Sequence, residues 1–191
     1  MLIITASPRK NSNSTAAALY LAKLTGLKYE IVDINRLKIH PCIACDKCAP
    51  SGKCVYHDDG EMLIKKVKKA DMILAASPVY FTGVPAPLKA FIDRNQAVWN
   101  SSYAKKTKNK KPGIIILTEG HKKSKYFIGA ESEIRSLFAV NNIKTTSVIK
   151  IKSMDHEGAV LKNKRAMEKL QQAALLPGAC NGGRRKNKTL S

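Results

Sequence analysis

Acidic residues are scarce in this 191-residue chain, with 14 Asp and Glu against 34 Lys and Arg and a formal charge of +20. Such a balance fits a phosphate-bearing partner, an acidic protein partner, or charge kept for solubility. Aromatic residues are also sparse at 6%. None interleaves with the basic runs Lys65–Lys69, Lys105–Lys111 or Arg184–Lys188, so a stacking platform for single-stranded nucleic acid is excluded. No apolar run approaches the ~20 residues of a membrane-spanning helix. The opening run Met1–Ile4 is followed by polar residues and then Pro8-Arg9-Lys10, the wrong length and order for a secretory leader. A cytoplasmic protein with no membrane partner is therefore expected. Glycine is missing from residues 5 to 15, which excludes a glycine-rich dinucleotide fingerprint there.

What is present is an alternation of apolar strands and amphipathic helices. Strands are expected at Leu2–Ile4, Tyr29–Ile34, Asp71–Ala76, Ile114–Leu117 and Thr145–Ile151. Between and after them the spacing predicts helices at Ala16–Leu24, at about 59–70 behind the cap pair Asp58 and Glu61, and at Ala86–Trp99, Lys125–Val140 and Glu157–Leu176. The helix after Asp58 is expected to bury Leu63, Ile64, Val67 and Ala70, with its lysines outside. A polar link, Asn100–Pro112, is expected to be exposed and mobile. Five strands in this alternation predict an α/β domain of flavodoxin-like order 2-1-3-4-5, a doubly wound parallel sheet with a cysteine-rich insertion after strand 2. The domain is expected to span residues 1–176, followed by a basic tail at 177–191.

In such a sheet, ligands bind at the carboxyl ends of the strands. Three loops fall there. The first carries Ser7, Arg9, Asn13, Ser14 and Thr15 ahead of a helix; free backbone N–H groups, hydroxyls and an arginine suit a phosphate, and the same residues also suit plain helix capping. The second carries Pro78, Val79, Tyr80 and Phe81, an apolar wall for a flat ring or an ordinary loop with buried aromatics. The third is Thr118-Glu119-Gly120-His121. Phosphate at one end and a flat ring at the other is the shape of FMN.

Residues 35–57 show neither helical nor strand period and hold Cys42, Cys45, Cys48 and Cys54, four of the five cysteines, spaced C-x2-C-x2-C-x5-C. Structureless connections of this length tend to be functional. Disulfides lack a motive in a chain this long with an ordinary apolar fraction. Zinc sites usually pair two knuckles across a longer arm, whereas three cysteines at successive x2 spacing resemble the ferredoxin run. The sharp reading is one [4Fe–4S] cluster on Cys42, Cys45, Cys48 and Cys54. Zinc, with or without His40 or His57, and free thiols stay open as alternatives. Cys180 reads as a lone free thiol.

These stretches, in this order, resemble a known family. Ser7-Pro8-Arg9-Lys10-Asn11-Ser12-Asn13-Ser14, Pro41-Cys42-Ile43-Ala44-Cys45 with Cys48 and Cys54, Asp58-Asp59, Ser77-Pro78-Val79-Tyr80-Phe81 and Leu88–Arg94 are similar to the NAD(P)H-dependent FMN reductase superfamily, and within it to the iron–sulfur flavoproteins. The likeness runs well over residues 1 to about 120. It implies noncovalent FMN, its phosphate on Ser7, Arg9, Asn13, Ser14 and Thr15. Its ring would lie along Pro78, Val79, Tyr80 and Phe81, with Thr118, Glu119 and Gly120 on the other side. The resemblance also implies a flavin-dependent oxidoreductase that takes electrons from ferredoxin or NAD(P)H and passes them to dioxygen, peroxide or a quinone, as a homodimer or homotetramer. Departures are Ala6, Ser12 and Ala44 where the family usually has glycine, and Glu119 where a small or neutral residue is common. Rival readings are an NAD(P)H-dependent FMN or quinone reductase without a cluster, and a basic nucleic-acid-binding protein with structural zinc.

Overall fold

Apolar residues in the strands alternate between two cores. Leu2, Ile4, Ile73, Ala75, Ile115 and Leu117 face one way, while Ile3, Leu74, Ala76, Ile114 and Ile116 face the other. A computed structural model describes residues 1–102, 110–122 and 126–175. Five parallel strands form its sheet: β1 (Leu2–Thr5), β2 (Glu30–Asp33), β3 (Ile73–Pro78), β4 (Lys111–Thr118) and β5 (Ile143–Ile151), in the order β2-β1-β3-β4-β5. This is the predicted flavodoxin-like order. The switch point lies where β1 pairs with both β2 and β3. A strand covered on both faces has no need of polar alternation, which is why Ile114–Leu117 reads as an unbroken apolar run.

One face is covered by α2 (Asp59–Lys69), α3 (Ala86–Arg94) and α5 (Phe127–Val140), which pack Leu63, Val67, Leu88, Phe91, Phe127 and Ile134 onto the sheet. The other carries α1 (Asn13–Thr25), α6 (Ala159–Lys162) and α7 (Lys164–Ala174), through Ala17, Ala18, Leu21, Val160 and Leu170. Each large aliphatic side chain buried in this way contributes about 1.5–3 kcal/mol of transfer free energy. Leu63, Ile64 and Val67 of α2 are buried as predicted, and Ala70 packs partly buried at its end.

The structure corrects several sequence expectations. The helix expected at Ala86–Trp99 is two, α3 and α4 (Gln96–Ser102), because Asn95 leaves the helical path. Its buried amide donates to the Phe91 carbonyl and accepts from Asn141 Nδ2 at 2.9 Å. The helix expected from Glu157 is broken at Asn163, whose side chain caps α7 by accepting from the Ala166 N–H. The capping box at Asp58 is half made. Asp58 accepts from the Gly60 N–H, but the Glu61 carboxylate is taken by Lys65 at 2.6 Å and His57 at 3.0 Å. The hydrogen bonds from Lys65 and His57, with the Lys65 charge, lower the Glu61 carboxyl to about 2. The lysine-rich link ends sooner than expected, since Lys111 already opens β4 and donates to the carbonyls of Val67 and Lys68 at the end of α2. The rest of that link at 103–109, the end of the last predicted helix, the basic tail and Cys180 lie outside the described residues. Among the described residues no helix is long and apolar enough to cross a membrane.

Candidate functional site

The carboxyl ends of β1, β3 and β4 open onto a cavity of about 190 Å³. Ser7, Arg9, Asn13 and Ser14 line it from the first loop, Pro78, Val79 and Tyr80 from the second, and Thr118, Glu119 and Gly120 from the third. Ten of the twelve residues expected around FMN therefore share one cavity. Thr15 and Phe81 do not. Thr15 sits one step into α1, where its backbone N–H and its hydroxyl are both engaged by the Ser12 hydroxyl at 3.2 and 2.7 Å. Phe81 points fully into solvent.

Phe81 turns outward because of its backbone. Tyr80 and Gly83 exchange two N–H···O bonds of 2.9 Å around a tight turn whose central residues, Phe81 and Thr82, both have positive φ of 45° and 69°. Glycine and asparagine normally occupy such positions, so an aromatic and a β-branched residue there are strained. Helix α5 holds the turn closed. Its Ala130 N–H donates to the Thr82 carbonyl, and a Cβ on Gly129 would stand 2.3 Å from that oxygen. Glu133 of the same helix accepts from the Val84 N–H at 2.8 Å.

Asn13 has a structural task inside the cavity. Its amide nitrogen donates to the carbonyls of Met154 and His156 at 3.0 and 2.8 Å, and its oxygen accepts from the Val160 N–H at 3.0 Å. Those bonds stitch the first loop to the segment after β5. That segment brings Met154, Asp155 and Glu157 to the cavity wall, and Asn11 and Ser12 join from the first loop. The sequence reading did not include these five. The Arg9 guanidinium donates to the Asp155 carbonyl at 3.2 Å, and Gly120 lies so close to Asp155 that a Cβ would meet its carboxylate at 1.8 Å.

Glu119 is the unusual wall residue. It is 6% exposed, and among the described residues neither carboxylate oxygen has a hydrogen-bond partner. Burial pushes its carboxyl above the ordinary range, although the Lys152 charge opposes the shift. The wall therefore offers a phosphate the Ser7 and Ser14 hydroxyls and Arg9, and offers a ring with polar edges a carboxyl in need of a partner.

A second site stands on the connection from β2 to α2. Cys42, Cys45, Cys48 and Cys54 all line one small cavity together with Tyr56, Arg94 and Ala97. Left-handed backbone at Ala44 (φ 51°) and Asp46 (φ 54°) kinks the chain on either side of Cys45, and Gly52 (φ 65°) presses onto Ser101 of α4, where a Cβ would stand 2.3 Å away. Asn100 donates from Nδ2 to the Cys48 sulfur at 3.2 Å. Arg94 anchors the loop at both ends, donating to the His40 and Tyr56 carbonyls at 2.8 and 2.9 Å and to Asp58 at 2.7 Å. Cys54 lies close enough to the guanidinium to add to the raising of the Arg94 pKa, after the larger contribution of Asp58. His40 stacks on Tyr56 and His57 pairs with Glu61, and neither histidine lines the cysteine cavity. Among the described residues no three Cys, His, Asp or Glu side chains meet as the ligands of a single metal ion. Four thiols in one lining, with an amide and a guanidinium beside the sulfurs, fit the donor chemistry of an iron–sulfur cluster, whose sulfurs take hydrogen bonds and compensating charge.

Residues 1–147 match the family described as NADPH-dependent FMN reductase. The chain belongs to that family. Among curated relatives, this family member is 40% identical over 96 residues to an iron–sulfur flavoprotein of Methanocaldococcus jannaschii, covering 49% of this chain and 50% of that one. It is 38% identical over 108 residues to the iron–sulfur flavoprotein of Methanosarcina thermophila, covering 55% and 56%. The chain thus spans about half the length of the curated relatives it matches. Solved structures extend the likeness over the whole fold. An FMN-dependent NADH-azoreductase from Bacillus anthracis in complex with FMN superposes with a TM-score of 0.65 at 13% identity, covering 91% of this chain and 96% of that one. The NAD(P)H:quinone oxidoreductase of Methanothermobacter marburgensis gives 0.65 at 16%, covering 90% and 92%. At those identities the likeness is one of fold.

Proposed function

We propose that this member of the FMN reductase family is a flavin-dependent oxidoreductase that relays electrons between a [4Fe–4S] cluster on Cys42, Cys45, Cys48 and Cys54 and FMN in the β1–β3–β4 cavity. One observation carries the reading: the chain that lines a cavity at its switch point with hydroxyls, an arginine and an apolar wall also lines a separate cavity with four thiols from the loop after β2. A flavin exchanges one or two electrons and a cluster one at a time, so the pair converts between two-electron and one-electron carriers.

The chain's own groups have defined tasks in this scheme. Ser7, Ser14 and Arg9 would hold the phosphate, the helix α1 dipole adding to their pull. Pro78, Val79 and Tyr80 would wall the ring, with Thr118, Glu119 and Gly120 at its far side. Arg94 and Asn100 would offset negative charge at the thiolates, and charge and hydrogen bonds of this kind raise a cluster's potential. Ferredoxin or NAD(P)H would supply electrons, and dioxygen, peroxide or a quinone would take them. The charge of +20 would steer an acidic carrier such as ferredoxin to this surface. A homodimer or homotetramer in the cytoplasm completes the proposal.

Anaerobic purification followed by flavin, iron and acid-labile sulfide analysis tests it. The expected result is one FMN and about four irons per chain, with a visible spectrum that bleaches on reduction. Cys→Ser substitution at position 42, 45, 48 or 54 should lower iron and sulfide together. A preparation with stoichiometric FMN and no iron would sink the cluster and leave the second reading, an NAD(P)H-dependent FMN or quinone reductase, which membership of the family favours.

A further inference from the structure

Glu119 has no visible reason to be where it is. Its side chain is more than nine-tenths buried, both oxygens lack partners, and it lies in the wall of a polar cavity. A buried polar group left without a hydrogen bond costs free energy, and a buried unpaired charge costs more. Among the described residues no donor answers that cost, so the ligand is the place to look for one.

We propose that Glu119 recognises the imide edge of the flavin ring, entering the complex as a neutral carboxylic acid. This rests on the FMN reading of the cavity. The pyrimidine end of a flavin presents an N–H between two carbonyls. A carboxylic acid matches that edge, its carbonyl accepting the N–H while its O–H donates to a neighbouring flavin carbonyl. A carboxylate has acceptors only, and it would set one oxygen against a carbonyl lone pair. Burial already favours the neutral form.

Other charged groups face the same space. Arg9 lines it from the first loop and Asp155 and Glu157 from the segment after β5, Lys152 of that segment acts on Glu119 from outside the lining, and the titratable His121 and Lys122 follow Glu119 in sequence and are exposed outside the lining. The second loop contributes Tyr80 and no charged side chain. Burial favours the acid form of Glu119, and the Lys152 charge opposes it. A proton-linked affinity that belongs to Glu119 must therefore vanish when Glu119 alone is changed.

The test measures flavin binding to apoprotein by fluorescence quenching between pH 5 and 9, on wild type, Glu119→Gln and Glu119→Ala. Riboflavin is the primary probe, because FMN adds its own phosphate ionisation near a pKa of about 6. If the acid is the binding form, wild-type affinity for riboflavin falls as pH rises through the raised pKa of Glu119. Its limiting slope is about tenfold per pH unit. Glu119→Gln keeps an accepting carbonyl and a donating N–H, so it should bind with the wild type's low-pH affinity at every pH. Glu119→Ala should bind about tenfold more weakly, also without pH dependence.

A second readout needs no flavin. Above the ordinary carboxyl range the buried acid binds a proton more readily folded than unfolded, so it costs stability as pH rises. Apoprotein Glu119→Gln should therefore gain in unfolding midpoint over wild type at pH 8 relative to pH 4.5. Wild type that binds neither FMN nor riboflavin overturns the FMN reading itself. Wild type that binds flavin with the same pH profile as Glu119→Gln overturns only the role given to Glu119.

Discussion

Arg94 and Asp58 form an ion pair of 2.7 Å in which the guanidinium is wholly buried and the carboxylate partly exposed, and the pair closes the cysteine loop at its base. The same arginine holds the carbonyls of His40 and Tyr56, which lie outside Cys42 and Cys54 on either side. Asp58 holds the His40 N–H and caps α2 through Gly60. One side chain from α3 and one from the start of α2 therefore fix both ends of the segment that carries the four thiols.

Replacing Arg94 by alanine would take the buried charge partner from Asp58, which keeps only the His40 and Gly60 N–H groups, and would leave the His40 and Tyr56 carbonyls without their donor. The expected loss is about 3–5 kcal/mol of unfolding free energy. Lysine at 94 keeps the charge but loses the planar fork, so it should rescue only part of the stability. Chemical denaturation of the three proteins measures this, and loss of less than 1 kcal/mol in Arg94→Ala would contradict the anchoring role.

Acid should release the same anchor. Burial alone would raise the Asp58 carboxyl, but the hydrogen bonds from Arg94, His40 and Gly60 and the Arg94 charge outweigh it and hold it below its usual range. A depressed carboxyl contributes stability that is full above the unfolded pKa of about 4 and is lost as pH falls through the lower folded value. Stability of wild type should thus decline below about pH 4, and Asp58→Asn should show a shallower acid limb. Parallel acid limbs in the two proteins would refute the assignment.

Asn13 should behave as a structural residue first. Alanine there removes three hydrogen bonds to backbone groups in a buried setting. At roughly 1 kcal/mol each the expected cost is about 2–4 kcal/mol. Thermal unfolding of the apoprotein reads it directly. An unchanged midpoint with weakened FMN binding would instead make Asn13 a ligand contact.

Gly120 allows the third loop to close against Asp155. A methyl group at that position would meet the Asp155 carboxylate at 1.8 Å, so Gly120→Ala must push the two loops apart. Flavin affinity is expected to drop at least about tenfold, because the shift opens the wall that Glu119 shares. Fluorescence titration with FMN checks it, and wild-type affinity in Gly120→Ala would show that the wall has slack.

Alternation of strands and helices and the sides of the helices that face the core were legible because each depends on local periodicity, and the sheet order followed from that alternation through the doubly wound fold rule. Gly26 shows the same economy: it closes α1 at φ 66°, as expected of a glycine after the last apolar position. The breaks at Asn95 and Asn163 were less legible. Each is an asparagine satisfied outside the helix, Asn95 by a partner 46 residues away and Asn163 by capping the next helix. Phe81 was misplaced for a related reason, since the turn that expels it is clamped by α5 from far along the chain.

The sequence by itself determined that four thiols share one short loop, that hydroxyl-bearing residues and an arginine precede the first helix, and that a turn-rich aromatic loop follows the third strand. Spacing carries such information because neighbours in the chain cannot be far apart in space. Tertiary structure alone decided which residues complete each site. Asp155 and Glu157 reach the cavity only because β5 runs parallel beside β4 and the chain then folds back over α1. Arg94 reaches the cysteine loop only because α3 packs under it. Glu119 looks like an ordinary loop carboxylate until burial removes its water and leaves it without a partner.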